Sequence, residues 1–174
     1  MKRITLLFAL VASATLFAAC GSSKDPAPVG NSTDRAFVSE MVPHHKSAVT
    51  MAQIARTRGQ SPFVKTLSAD IIRTQTAEIY TMRARDAELA KGGVSVGELG
   101  VSMDAMGMSM DTGSLKTARP FDPAFLRMML PHHAGAVTMA KIELAKGKDP
   151  ALKKLASEVI RAQQREIGQM RAHL

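Results

Sequence analysis

The sequence predicts an all-α protein in which two duplicated helical hairpins pack into a four-helix bundle. The first observation is an ungapped repeat: residues 36–83 align with residues 124–171, and 23 of the 48 aligned positions have the same residue. The second is composition, since aromatic residues make up only 4% of the 174 residues and aliphatic residues and methionine must fill the core. This length allows one domain or two small ones built alike, which argues against a multidomain enzyme.

The third observation is that helix boundary signals recur at matching places in both halves. Ser61-Pro62, Asp122-Pro123 and Asp149-Pro150 each place a capping side chain before a proline suited to the first helical position. Gly59, Gly147 and Gly92-Gly93 stand where helices should end. We therefore predict helices over residues 34–58, 62–91, 123–146 and 150–173, within a bundle spanning 34–174. A long connection, residues 93–121, joins the two hairpins.

The N-terminus is predicted to direct export. Lys2 and Arg3 precede an apolar run too short to span a bilayer, as in a signal peptide over residues 1–19. Cys20, the only cysteine, follows small residues as in a lipoprotein signal, which predicts lipidation of Cys20 and a flexible tether over residues 20–33. Ordinary cleavage nearby is the alternative, because Phe17 is an unusual residue in that signal. The expected location is the bacterial cell membrane or outer membrane, facing the periplasm or exterior.

The charge does not point to a nucleic-acid partner. Removing residues 1–19 leaves a net charge of +6, with the basic residues scattered among acidic ones instead of forming a stripe. Export also separates the protein from nucleic acid, so a solvated surface near anionic lipid is the expected role of this charge.

Histidine and methionine share the inward face of each hairpin's first helix. A helical period of about 100° per residue places them on one stripe with Phe37 and Phe125, with the second histidine of each pair on its flank. The residues are Met41, His44, His45 and Met51 in the first half, and Met129, His132, His133 and Met139 in the second. The second helices place Gln75, Glu78 and Met82, and likewise Gln163, Glu166 and Met170, on one face. Because buried polar groups need partners, we expect the histidines to hydrogen-bond this Glu and Gln set.

A purely structural interpretation of these residues stays open. Methionine on a helical stripe is usually core, and a histidine there usually has a hydrogen-bond partner. Duplication copies core residues too, so the second half is not independent support for a site.

The connection contains a separate methionine cluster. Met103, Met106, Met108 and Met110 fall within eight residues rich in Gly, Ser and Asp, where methionine is not expected as core. Clustered thioethers suit a soft monovalent ion, which predicts Cu(I), with Ag(I) as its mimic.

Other metal and catalytic chemistries fit the sequence less well. The sequence has no Glu-x-x-His motif for a di-iron bundle, no serine elbow and no phosphate loop. Zn(II) could use the four paired histidines, but methionine is a poor zinc ligand.

The motifs MxPHHxxAVxMA and IxRxQxxEIxxMR, with a Gly-x-x-Pro turn between them, resemble the bacterial domain of unknown function 305 family. The resemblance covers nearly all of residues 34–174 as two tandem units of the family type. It implies a ferritin-like four-helix bundle, export to the cell envelope, copper binding and copper resistance. The implied ligand candidates are His44, His45, Met51, His132, His133 and Met139, with Met41, Met129, Met82 and Met170 nearby. The family often has an aromatic residue shortly after the last methionine, where this sequence has Arg171-Ala172-His173.

Together these observations predict an exported protein, not an enzyme, that buffers or delivers Cu(I). The expected partners are the copper ion, the membrane through lipidated Cys20, and a copper-handling envelope protein. Two alternatives remain: a metal-independent helical interaction module of the envelope, and a metal-dependent oxidase, against which the scarcity of inward carboxylates counts.

Overall fold

The computed structural model describes residues 29–174, which form four α-helices and no β-strand. They are α1 (Ser32–Arg58), α2 (Pro62–Lys91), α3 (Phe121–Lys146) and α4 (Pro150–Ala172), and a short 3-10 helix spans Thr112–Lys116. The all-α prediction is therefore confirmed. The predicted signal peptide, Cys20 and the start of the tether lie outside the described residues.

α1 begins at Ser32, two residues earlier than predicted, because its first turn is closed by a reciprocal cap. The Asn31 side chain accepts hydrogen bonds from the backbone N–H groups of Thr33 and Asp34, and the Asp34 carboxylate accepts from the Asn31 N–H. This pairing satisfies donors that a helix start otherwise leaves free.

The prediction that Asp122 caps α3 is wrong. α3 begins at Phe121 after Pro120, without a side-chain cap. The Asp122 carboxylate instead accepts hydrogen bonds from the backbone N–H groups of Gln60 and Ser61, at 2.9 and 2.8 Å, in the turn between α1 and α2. Those N–H groups have no acceptor within the turn itself. The Asp122 carboxylate therefore accepts hydrogen bonds from this distant turn instead of capping the start of α3.

Asp34 makes the matching contact in the other direction. Its carboxylate accepts from the backbone N–H groups of Lys148 and Asp149 in the turn between α3 and α4. Each hairpin therefore anchors the turn of the other through an aspartate near the start of its first helix.

The two hairpins meet mainly where α1 packs against α3, whereas α2 and α4 touch little. Buried apolar residues form two clusters. One contains Phe37, Met41 and Leu152, and the other contains Ala48, Phe125 and Met129. Because residues 36–42 of α1 belong to the first cluster and residues 48–55 to the second, His44 and His45 lie in a layer between them.

The connection between the hairpins packs closely on α3. A Cβ atom at Gly107, whose φ is +67°, would lie 2.5 Å from the Pro131 carbonyl oxygen, and one at Gly135 would collide with the Met106 backbone. Met106 is buried in the first cluster and Met108 is half-buried against it. The expectation that the loop methionines lie outside the core is thus wrong for Met106, because glycine on both surfaces lets the loop backbone approach the helix.

At the C-terminus, the His173 ring stacks on Phe63 with ring centroids 3.6 Å apart. The imidazole supplies a flat ring near the position where the family often has an aromatic residue. Within residues 29–174, no helix has the length and apolar character required to cross a membrane.

Candidate metal centre

The histidine pairs of the two hairpins meet in the centre of the bundle. The rings of His44 and His132 lie 3.7 Å apart between centroids, and each residue is only 1% exposed. His45 and His133 are also fully buried, on the flanks. The two predicted histidine sets therefore share one buried layer.

The surroundings of His44 determine which ring nitrogen carries its proton. His44 Nε2 lies 2.9 Å from the carbonyl oxygen of Met106. Because a carbonyl only accepts hydrogen bonds, Nε2 must be the protonated nitrogen of a neutral ring. Nδ1 then has a free lone pair, and it is buried without a hydrogen-bond partner among the described residues.

The flanking histidines are oriented in the same way by carboxylates. His45 Nε2 donates to Glu78 Oε2 at 2.8 Å, and His133 Nε2 donates to Glu166 Oε2 at 2.7 Å. Nδ1 of each ring is buried and lacks a partner in the described part of the chain. A carboxylate that orients a histidine and leaves its other nitrogen bare is the arrangement found behind metal-bound imidazoles.

Burial keeps the central rings neutral. Loss of solvent, followed by the field of His45, lowers the pKa of His44 from 6.5 to about 3. Loss of solvent and the neighbouring His44 also lower the pKa of His132 strongly. Both nitrogens of His132 are buried without a partner in the described structure. A neutral imidazole with a free lone pair is a metal ligand, whereas a satisfied core histidine uses both nitrogens.

Methionines lie on both sides of the histidine layer. All six helical candidates are fully buried. Three belong to the first apolar cluster, Met41, Met82 and Met139, and three to the second, Met51, Met129 and Met170. Each cluster thus receives two methionines from one hairpin and one from the other, so both apolar clusters that adjoin the histidine layer contain thioethers.

The buried glutamines differ from the expectation. Gln75 and Gln163 are buried, but their Oε1 atoms have no hydrogen-bond partner in residues 29–174. Only the two glutamates pair with histidine. These two amide oxygens, like the bare imidazole nitrogens, are buried polar atoms whose hydrogen bonding is incomplete.

Three of the four loop methionines gather at the surface beside this layer. Met103, Met106 and Met108 line a cavity of about 210 Å³ together with Ser39, Glu40 and Pro43 of α1. Met103 is 55% exposed. Met110 is half-buried and does not line the cavity.

Glu40 was not predicted as a site residue. One feature of the sequence could have indicated it. Glu40 lies four residues before His44, and the equivalent position in the second repeat is a methionine, Met128, so the two repeats differ there. Its position on the cavity wall depends on the fold of the distant connection.

Nitrogen and oxygen ligands alone do not converge here. In residues 29–174, no group of three or more His, Cys, Asp or Glu side chains is arranged to hold a metal ion. The further candidate ligands in the bundle core are the buried methionines and glutamines described above.

The fold is similar to those of several solved structures. CopM in its Cu(I)-bound form is 36% identical, with a TM-score of 0.68 over 80% of this chain and 93% of CopM, and CopM also has Ag-bound and Cu(II)-bound structures. A DUF305 fragment from Deinococcus radiodurans is 30% identical, with a TM-score of 0.66 over 83% of this chain and 96% of the fragment. A putative secreted DUF305 protein from Streptomyces coelicolor is 30% identical, with a TM-score of 0.68 over 80% and 88% of the chains.

A sequence relative is the uncharacterized protein L153 of Acanthamoeba polyphaga mimivirus, 43% identical over 53 residues. That match covers 30% of this chain and about a third of the viral protein (35%). The family model for the domain of unknown function DUF305 matches residues 34–174. The chain therefore belongs to the DUF305 family.

Proposed function

We propose that the protein binds Cu(I), with Ag(I) as its mimic, through imidazole and thioether ligands in the central layer, and that it buffers or delivers copper at the cell envelope. The observation that carries this proposal is the set of bare Nδ1 atoms of His44, His45 and His133. Each is made available by a hydrogen bond on the opposite nitrogen, and each is buried.

The cost of these nitrogens supports a ligand. A buried polar atom without a partner costs roughly 1–3 kcal/mol relative to one that is hydrogen-bonded. All four histidines of the layer have at least one such nitrogen. A bound cation would use the lone pairs and offset that cost, which a structural role for the histidines does not explain.

The choice of a soft ion rests on the surrounding donors. Thioether sulfur binds Cu(I) and Ag(I) without losing a proton, and neutral imidazole suits copper as well. CopM, which shares this fold, has structures with both ions bound. We extend that ion preference to this protein because six buried methionines belong to the two apolar clusters that adjoin the histidine layer.

Export and membrane attachment complete the proposal. The signal peptide over residues 1–19 and lipidation of Cys20 would place the copper-binding bundle on the membrane surface, outside the cytoplasm. No catalytic step is needed for buffering or delivery, so we propose a binding protein and not an enzyme.

The test is an anaerobic titration of the chain from Gly21 onward with Cu(I) in competition with a coloured Cu(I) chelator. We expect the protein to withdraw copper from the chelator at a defined number of equivalents. The double variant His44→Gln/His132→Gln should lose the tightest of these equivalents. His173→Gln is the matched control, because that histidine is exposed and stacks on Phe63 away from the layer.

Two outcomes would contradict the proposal. One is the absence of competition, which would leave the metal-independent interaction module as the better explanation. The other is unchanged copper binding by the double variant while it remains folded by circular dichroism. Turnover of Cu(I) with oxygen would instead support the oxidase alternative.

A further inference from the structure

We propose that Met103, Met106, Met108 and Glu40 form a second soft-metal site, at the protein surface, from which the ion passes inward to His44. This inference rests on the proposed copper function. It adds a surface site that binds the ion first and a path from that site to the central histidines. It adds Glu40 to the ligands and leaves Met110 out.

The loop holds its methionines in a fixed arrangement. The Met106 N–H donates to the Ser102 carbonyl at 2.9 Å, and the Met108 N–H donates to the Met103 carbonyl at 2.9 Å. The Gly107 N–H donates to the Asp104 carbonyl at 2.8 Å, with Gly107 in the left-handed conformation. These bonds form a single helical turn that ends with the hydrogen-bond pattern common at helix C-termini. The three methionine side chains are therefore attached to an ordered turn.

The side chain of Glu40, which has an unpartnered carboxylate oxygen, contributes to the wall of the same cavity. Glu40 Oε1 accepts a hydrogen bond from the Leu99 N–H at 3.0 Å, which fixes the side chain against the connection. Glu40 Oε2 is buried and has no hydrogen-bond partner among the described residues. A carboxylate oxygen held against an apolar wall of thioethers is poorly solvated, and a monovalent cation is the ligand that would compensate it.

The charge of this arrangement favours a monovalent ion. Three thioethers are neutral and one carboxylate carries a single negative charge, so a bound Cu(I) or Ag(I) ion gives a neutral site. A divalent ion would leave a net positive charge beside apolar surface and would be offered mainly soft ligands, which it binds less well.

One residue belongs to both sites. The Met106 side chain lines the surface cavity, while its carbonyl oxygen accepts the His44 Nε2–H bond. The backbone of Met106 rests directly on Gly135 of α3, so no other layer of residues separates the loop from the histidines. Met106 therefore contacts the surface cavity through its side chain and His44 through its backbone carbonyl, which places the two sites next to each other.

The test uses Ag(I), which does not change oxidation state, and the full mature chain carrying Cys20→Ser so that no thiol competes. Methionine methyl groups labelled with ¹³C report each residue separately by NMR. In the parent protein we expect the methyl signals of Met103, Met106 and Met108 to shift on addition of Ag(I), and Met110 to stay in place.

Two variants separate this inference from the proposed function. Glu40→Gln keeps the acceptor for the Leu99 N–H but removes the charge, and should weaken Ag(I) binding at the loop about tenfold, as expected for a partly buried ion pair. Glu98→Gln, an exposed glutamate on the same connection, is the control for net charge and should have no such effect. His44→Gln/His132→Gln should abolish the shifts of the core methionines while the loop still responds.

The outcomes are distinct. Core shifts without loop shifts would overturn the surface site and leave the central copper site intact. Loop shifts that are equal in the parent and in Glu40→Gln would overturn the role of the carboxylate. No shift at either place would overturn both proposals.

Transfer of the ion from the loop to the histidines is tested by rate. The double variant Met103→Leu/Met108→Leu should slow the binding of Ag(I) at the central histidines, measured by stopped flow, and an unchanged rate would refute the route.

Discussion

Glu143 of α3 lets the acid–base chemistry of the fold be tested apart from metal binding. Its side chain is fully buried beside Asp34 and Asp149. Burial, followed by the hydrogen bond and negative charge of Asp34, raises the pKa of Glu143 from 4.5 to about 9. Neither Glu143 oxygen receives a hydrogen bond in the described structure, so a protonated Glu143 that donates to Asp34 is the form that satisfies the pair.

The effect on stability follows from the proton that the native state retains. Above pH 4.5 the unfolded chain releases the Glu143 proton, whereas the native state keeps it until the pH approaches 9. The free energy of unfolding contributed by this group is therefore largest in acid and falls as pH rises. A pKa of about 9 corresponds to a loss of about 2 kcal/mol between pH 7 and pH 9.

The assay is urea unfolding of the metal-free protein at pH 7, 8 and 9, followed by circular dichroism. Glu143→Gln should remove the decline, because the amide keeps a donor for Asp34 and cannot ionise. Glu98→Gln is the control and should decline like the parent, since Glu98 is exposed. Equal declines in the parent and in Glu143→Gln would refute the assignment of a proton to the buried pair.

Three further predictions concern the loop, the reciprocal anchors and the central histidines. Gly135→Ala should cost about 1–3 kcal/mol of unfolding free energy, because its Cβ would collide with the Met106 backbone, whereas Gly168→Ala, with open space around it, should stabilise by about 0.5–1 kcal/mol. Asp122→Ala should cost about 2 kcal/mol, since two backbone N–H groups lose a charged acceptor. Between pH 4.5 and about 9 the ionisation of Glu143 changes stability in the opposite direction, so the histidine effect is measured in metal-free Glu143→Gln protein. That protein should lose stability as pH falls below 6.5, by up to about 1.4 kcal/mol per pH unit from His44, because the pKa of His44 is lowered in the native state and the unfolded chain binds the proton first.

Urea unfolding measures all three. Equal stability of Gly135→Ala and Gly168→Ala would contradict the close packing of the loop on α3. For the anchors, Asp70→Ala is the control, because the half-exposed carboxylate of Asp70 pairs with Arg73 on the same helix and with no other group among the described residues. An equal loss of stability there would remove the special role of Asp122. For the histidines, His44→Gln should reduce the loss of stability in acid without abolishing it, because the pKa of His132 is also lowered; an unchanged loss would show that His44 is not one of its sources.

The features that the sequence predicted correctly are those controlled by helical periodicity. Met41 and His44 lie inward as their spacing requires, and both glutamates, Glu78 and Glu166, reach the histidines of the preceding helix. These relations lie within one helix or between neighbouring helices of a hairpin, where the repeat and a short turn restrict the geometry.

The features that it did not predict depend on contacts distant in sequence. Asp122-Pro123 has the local form of a helix cap, but the turn at Gln60 lies 62 residues away and competes for the carboxylate. Glu40 acquires its role from the connection that folds over α1, and Met106 becomes core only because Gly135 admits the loop backbone. No pattern within a single segment carries that information.

The most direct test of the central copper site is the ¹⁵N NMR spectrum of the histidine rings before and after addition of one equivalent of Ag(I). The structure predicts that His44, His45 and His133 carry the proton on Nε2 and leave Nδ1 bare in the metal-free protein. Silver should then shift Nδ1 signals of the central layer while Nε2 keeps its proton. Protonated Nδ1 atoms in the free protein, or Nδ1 signals that silver leaves unchanged, would contradict a metal site built on these nitrogens.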